Sequence, residues 1–307
     1  MPSKSSNFRG VLAALAASVL WGTTGVMASF TSNVSSLAIG AFAMGIGGIL
    51  LVLTNLSSLR KNYKLIFKQK GLFALGVVSV AVYPLAFYSS MRMSGVAIGT
   101  IVSLATAPIF AALIERLYSQ KIVSKQWMVS FMFGAIGITL LTVGKEDSLG
   151  STISNYQNSV GIILGSIAGL TYAGYSWVAR ALIDKGVHSR SALSGLFGGA
   201  AILLLPSLWF TGDNLFSSAI NSLASVYMAT VPMFLGYLLF SYALKFIDSS
   251  KATLITLVEP LIATILAFFL LDENFQLIGW LGGLLVFLCM LIQSVKPNFS
   301  FNLGKSK

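Results

Sequence analysis

Apolar residues run along this chain in ten stretches, at about 10–30, 35–54, 71–91, 95–116, 127–144, 159–182, 191–210, 223–245, 250–271 and 276–294, separated by short polar or charged connections. A helix needs about 20 apolar residues to cross the hydrocarbon core of a bilayer. The ten stretches are of that order, and little more than connections is left between them. The pattern predicts an all-α membrane protein of ten transmembrane helices, spans 1 to 10.

The spans form two copies of a five-helix unit. With an offset of 151, Gly10 falls on Gly161, Trp21 on Tyr172 and Gly22 on Ala173; with an offset of 152, Tyr88 falls on Phe240, Ser89 on Ser241 and Pro108 on Pro260. Consecutive copies with an odd number of spans lie upside down relative to one another, the inverted repeat from which many secondary transporters build their two access states around a central cavity. The expected division is a first repeat at 1–144, an external linker at 145–158, a second repeat at 159–295 and a cytoplasmic tail at 296–307.

Composition agrees. The chain is 56% hydrophobic and 9% charged with a mean hydropathy of +0.84, which excludes an ordinary soluble domain. The net charge of +11 is explained by position. With the amino terminus in the cytoplasm, 18 of the 20 lysines and arginines fall on the cytoplasmic side, leaving only Arg92 and Lys145 outside. That bias orients the chain in the cell (inner) membrane with both termini cytoplasmic. It also removes the support for nucleic-acid binding, since the largest basic cluster, Arg60 to Lys70, flanks a span as an orientation signal does. Gly10–Phe30 lacks a small-residue cleavage site before the next span and reads as a retained helix. Cys289 is the sole cysteine, so no internal disulfide forms and a metal site has no thiol partner. His188 lies in a cytoplasmic loop without catalytic company.

One acid stands out. Glu259 lies in the middle of span 9 and is followed by Pro260. A carboxylate at that depth costs about 2.5–3.5 kcal/mol or more unless protonated, paired or wetted, and marks a functional site by default. Ala252, Thr256, Glu259 and Ala263 share one stripe, which leaves Leu254, Leu257, Leu261 and Ile265 for lipid. No lysine or arginine sits at similar depth. Three roles remain open for Glu259: a proton-coupling site, a counter-ion for an amine, or a structural acid bonded to a neighbouring helix.

Pro108 and Pro260 occupy matching places in spans 4 and 9, and each denies a partner to the carbonyl four residues earlier, at Leu104 and Thr256. Matched interruptions point to a midplane substrate site, with packing kinks as the alternative. Aromatics with polar tips gather at similar depth: Trp21, Tyr83, Tyr88, Tyr172, Tyr175, Trp177, Tyr237 and Tyr242. With the hydroxyls of Thr23, Thr24, Ser103, Thr106 and Thr256 they suit a cavity that stacks planar groups or holds an organic cation. Helix packing is the alternative for each. Trp127, Trp209 and Trp280 lie at span ends, as interfacial anchors do. Gly95–Gly99, Gly161–Gly165–Gly169, Ser18–Gly22 and Gly25–Ser29 are seams for close helix contact. Arg180 and Asp184 are spaced for an i, i+4 pair, and Glu115 and Arg116 are expected to snorkel.

Leu20-Trp21-Gly22-Thr23, Ala107-Pro108, and Leu257-Val258-Glu259-Pro260-Leu261-Ile262-Ala263 running through Leu271-Asp272-Glu273 to Gly279 resemble the ten-helix drug/metabolite transporters built from two EamA domains. The resemblance covers nearly the whole chain. It implies an inverted five-plus-five repeat, cytoplasmic termini, a cavity lined mainly by spans 1, 3, 4, 6, 8 and 9, and movement of small metabolites, very often outward. The chain departs from the pattern where Lys121 stands opposite Glu273 and where Ala107 stands opposite Glu259.

An intramembrane enzyme would need an apposed aspartate pair, an embedded serine with histidine or lysine, or a metal cluster, and the sequence offers none of these. A channel predicts a polar stripe across the whole membrane, whereas the polar residues here cluster at mid-depth. The expected function is a secondary active exporter of small amphipathic metabolites such as amino acids or amines. Alternating access would be coupled to a proton at Glu259, with no other cofactor. A flippase for lipid-linked substrates and an uptake carrier for an organic cation are the alternatives. The expected partners are a small-molecule substrate and the lipid bilayer, with the chain a monomer or weak dimer.

Overall fold

A computed structural model describes residues 4–144, 155–270 and 276–294. These residues form helices and short connections, without a strand among them. Among the described residues ten helices are long and apolar enough to cross a membrane: Asn7–Ser29, Ser36–Thr54, Lys70–Ser94, Ile98–Tyr118, Lys125–Val143, Asn155–Asp184, Ser189–Thr211, Ala219–Leu244, Ser249–Leu270 and Leu277–Ser294. The chain is therefore a multi-pass membrane protein. Span 6 starts at Asn155, inside the expected linker, where Ser159 Oγ donates to the Asn155 carbonyl within the first turn. Residues 145–154, the tail 296–307 and Leu271-Asp272-Glu273 lie outside the described residues.

Contacts between spans follow the inverted repeat. Spans 2 and 7 pack on each other, as do spans 5 and 10, and both pairs are counterparts across the repeat. Span 3 packs on span 6 as span 1 packs on span 8; span 4 packs on span 6 as span 1 packs on span 9. The two halves therefore interlock and share one core. Small residues make this possible: a Cβ added at Gly161 would lie 2.5 Å from Ser94 Cβ, and Ser90 Oγ donates to the Gly161 carbonyl at 2.6 Å. Without the glycine, spans 3 and 6 could not meet this closely.

The helices are interrupted unevenly. Span 1 has a turn at Thr23, span 8 widens into a π-helical segment at Ala229–Leu235 around Pro232, and span 9 tightens into a 3-10 turn at Thr256–Val258. Proline at 260 has no amide hydrogen for the Thr256 carbonyl, and the Glu259 N–H takes that carbonyl instead. The expected pair of matched breaks is only half present, because span 4 runs as one helix through Pro108.

Three further expectations are corrected. Leu254 and Leu257 are buried rather than lipid-facing, because the far side of span 9 packs on spans 5 and 10. Glu115 does not snorkel and is 3% exposed. The basic cluster belongs to a further helix, Leu56–Lys68, with Ile66 buried and Tyr63, Leu65 and Phe67 exposed. Ser58 and Asn62 bond it to Ser191 and the His188 amide at the start of span 7. The face carrying this helix, where span 1 begins, is the basic face of the molecule.

Candidate functional site

The interruptions in spans 1, 8 and 9 converge on one cavity. It is lined by Trp21, Thr24, Gly40, Ala43, Met44, Tyr83, Pro84, Phe87, Tyr88, Tyr172, Tyr175, Met233, Tyr237 and Glu259. Its free volume of about 40 Å³ has room for one or two water molecules. Beside it, on the face opposite the basic one, a vestibule of about 680 Å³ opens between the start of span 2, the end of span 3 and Gln157 of span 6. Tyr88 lines both spaces and partitions them.

Most polar groups of the lining are engaged. Trp21 Nε1 donates to the Pro232 carbonyl at 2.9 Å, Thr24 Oγ1 donates to the Trp21 carbonyl at 2.7 Å, and the Tyr175 and Tyr237 hydroxyls are bonded at 2.9 Å. Tyr172 is bonded to Thr256 Oγ1, also at 2.9 Å. Three groups are left: the hydroxyls of Tyr83 and Tyr88 and the carboxylate of Glu259 have no hydrogen bond or ion pair among the described residues. Glu259 is also the sole charged side chain of the lining. Around it the rings form a continuous wall, with Trp21 and Tyr237 centroids 4.8 Å apart and Tyr83 lying 5.5 Å from Tyr172 and 5.9 Å from Tyr175.

Two glycines set this geometry. A Cβ at Gly22 would meet Ile262 Cβ at 2.7 Å and the Glu259 carbonyl at 3.0 Å, so its absence lets span 1 lie against the backbone that carries Glu259. A Cβ at Gly40 would overlap the Tyr88 ring, so span 2 owes its contact with the partition to that glycine.

A model of the EamA-like transporter family matches residues 8–143 and again 159–295. The chain belongs to the EamA-like transporter family. The transporter is 30% identical to the uncharacterized transporter YwfM of Bacillus subtilis over 92% of this chain and 93% of that one. It is 27% identical to the uncharacterized inner membrane transporter YicL of Salmonella typhimurium, over 94% and 96% of the two chains. A solved crystal structure of a protein 15% identical shares its fold, with a TM-score of 0.77 over 92% of this chain and 95% of that one.

Of the residues expected at the transporter's site, Trp21, Thr24, Tyr83, Tyr88, Tyr172, Tyr175, Tyr237 and Glu259 are brought together at the cavity. Thr256 stands behind them, bonded to Tyr172. Ser103 is buried and donates to the Gly99 carbonyl in its own helix. Trp177 lies toward the basic face, where it donates to Ser119 Oγ and packs on Tyr118. Tyr242 is 38% exposed and packs on Phe246.

Span 4 was expected in the lining; span 2 takes that place through Gly40, Ala43 and Met44. Nothing polar marks these three in the sequence, and only the packing of span 2 on spans 3 and 8 puts them there. Pro84 and Pro232 did carry a signal, as prolines inside the equivalent spans 3 and 8. Their separation of 148 residues falls about one helical turn short of the 152-residue register, which hides the match.

Proposed function

We propose that this transporter is a secondary active carrier of the cell (inner) membrane that exports small amphipathic metabolites bearing an amine, amino acids among them, by alternating access. The observation that carries the proposal is the set of unengaged groups in the lining: one carboxylate, two phenolic hydroxyls, and ring faces on most other sides. An ammonium group satisfies all three at once. It pairs with Glu259, donates to Tyr83 and Tyr88, and lies over aromatic faces, where cation–π attraction contributes about 2 kcal/mol once water is excluded. A proton competes for the same carboxylate. Binding of amine and proton in alternation would couple export to proton entry.

Orientation rests on the charge bias: the basic face is cytoplasmic and the vestibule external. On this reading the transporter is closed to the cytoplasm, with its central cavity contracted and Tyr88 between that cavity and the outside. Admission of a solute requires Tyr88 and its neighbours to move apart.

The test is flux into proteoliposomes for a panel of amino acids, their decarboxylated amines and uncharged analogues, with and without a pH gradient, in wild type and Glu259→Gln. The expected result is gradient-driven flux of amine-bearing solutes that the substitution abolishes. Gradient-driven flux that persists in Glu259→Gln refutes the role of the carboxylate. Lipid scrambling without solute flux would identify a flippase, and uptake of organic cations an importer.

A further inference from the structure

We infer that Glu115 is the latch that keeps this transporter closed to the cytoplasm, and that it acts by holding the first turn of span 9. The inference rests on the alternating-access orientation proposed above. Glu115, near the cytoplasmic end of span 4, is the one acidic side chain buried among the described residues. Its Oε1 accepts from Ser249 Oγ at 2.6 Å and from the Ser250 N–H at 3.2 Å, and its Oε2 accepts from Ser250 Oγ. A carboxylate out of water is tolerated only with such donors, so the three bonds and the burial stand or fall together.

The contact is the centre of a larger tie. Lys121, in the connection after span 4, pairs with Asp248 just before span 9. Arg180 at the end of span 6 approaches Asp248, pairs with Asp184 at 3.0 Å, and donates to the carbonyls of Leu244, the last residue of span 8, and Ile247 just beyond it. The cytoplasmic ends of spans 4, 6, 8 and 9 are thereby joined at residues 244–250. All but span 4 line the cavity.

Two serines mark what the tie shuts. Ser176 and Ser241 are buried, and their hydroxyls have no hydrogen-bond partner among the described residues. They lie between two links of spans 6 and 8: the Tyr175 to Tyr237 bond on the cavity side and the Arg180 to Leu244 bond about one to two turns nearer the cytoplasm. Buried, unbonded hydroxyls are costly. Ser130, Ser194 and Ser225 on spans 5, 7 and 8 are buried without a partner in the same way, so it is their place between the two links that makes Ser176 and Ser241 reporters of this segment.

The latch is one-sided. The repeat register puts Ala267 at the position equivalent to Glu115, so that position carries no carboxylate in the second repeat. Span 9 itself is divided: Ala252–Val258 are buried on all sides, whereas Glu259–Leu266 are half-buried, and the 3-10 turn at Thr256–Val258 lies at the boundary. Opening to the cytoplasm requires the buried half to leave span 4, which breaks the Glu115 bonds first.

The test reads accessibility rather than flux. In a Cys289→Ser background, Ser176→Cys reports the cytoplasmic route and Ser89→Cys the external vestibule, each labelled with a membrane-impermeant maleimide in vesicles of known orientation. Removing charge-assisted bonds that only one state makes should shift the populations by about tenfold or more. Glu115→Gln is expected to raise labelling of Ser176→Cys from the cytoplasmic side by that factor and to lower labelling of Ser89→Cys. Rates within about twofold of the parent at both reporters overturn the latch, as does a rise at both, which would mean general loosening. Should Glu115→Gln not fold, Ser249→Ala/Ser250→Ala, which keeps the carboxylate and removes two donors, carries the same expectation and the same refutation. The flux experiment on Glu259 can fail without moving these reporters, so the two readings are judged separately.

Discussion

Gly22→Ala tests whether the close approach of span 1 to span 9 positions Glu259. The added methyl would sit 2.7 Å from Ile262 Cβ, 2.8 Å from Ile262 Cγ2 and 3.0 Å from the Glu259 carbonyl oxygen. Carbon atoms prefer about 3.5–4.0 Å, so the helices must separate by about 1 Å at this point. Overpacking of this kind costs about 1–3 kcal/mol, offset by about 1 kcal/mol because alanine suits a helix better than glycine. Global stability should therefore fall by no more than about 2 kcal/mol, and the protein should reach the membrane in normal amounts. The Glu259 backbone receives the displacement directly, and misplacement of about 1 Å at a binding group can cost up to a hundredfold. Expected, then, is a loss of flux of tenfold or more with a melting temperature lowered by only a few degrees. Ile262→Ala removes one of the two clashing carbons and should restore part of the flux in the double variant, a coupling that a cycle measures directly. Full flux in Gly22→Ala at unchanged abundance would refute the reasoning.

Two further predictions concern the cavity wall. Gly40→Ala places a methyl in the space of the Tyr88 ring and should push the partition aside, raising maleimide labelling of Ser89→Cys from the external side; unchanged labelling would show that Gly40 does not seat Tyr88. Tyr172→Phe and Thr256→Val each break one 2.9 Å bond behind the lining, and the pair should couple by about 0.5–1.5 kcal/mol in a double-mutant cycle of thermal stability, with additive effects the refuting outcome.

The fold was largely legible because a bilayer demands long apolar helices and because inversion leaves the same register twice in the chain. The Leu56–Lys68 helix escaped because its four basic residues and short length, set against the neighbouring spans, conceal an amphipathic pattern. The cavity lining was legible where chemistry is unusual for its depth: Glu259 among leucines, and tyrosines far from the interface. Ser103, Trp177 and Tyr242 have the same chemistry and face elsewhere, since residue type gives no azimuth around a helix. Glu115 was misread for a related reason. Its position near a span end suggests an escape to water, and only the serines of span 9, 134 and 135 residues away, keep it inside.

The sequence by itself determined ten membrane-crossing helices, their two-fold internal repeat and the one acid at the middle of the membrane, because hydropathy, register and desolvation cost are properties of local sequence. Tertiary structure alone decided that span 2 rather than span 4 lines the cavity, that one proline of the matched pair breaks its helix, and that Glu259 keeps a carboxylate free while the hydroxyls of Tyr172, Tyr175 and Tyr237 find partners. These outcomes depend on which helix faces meet, and that is set by packing between residues more than a hundred positions apart.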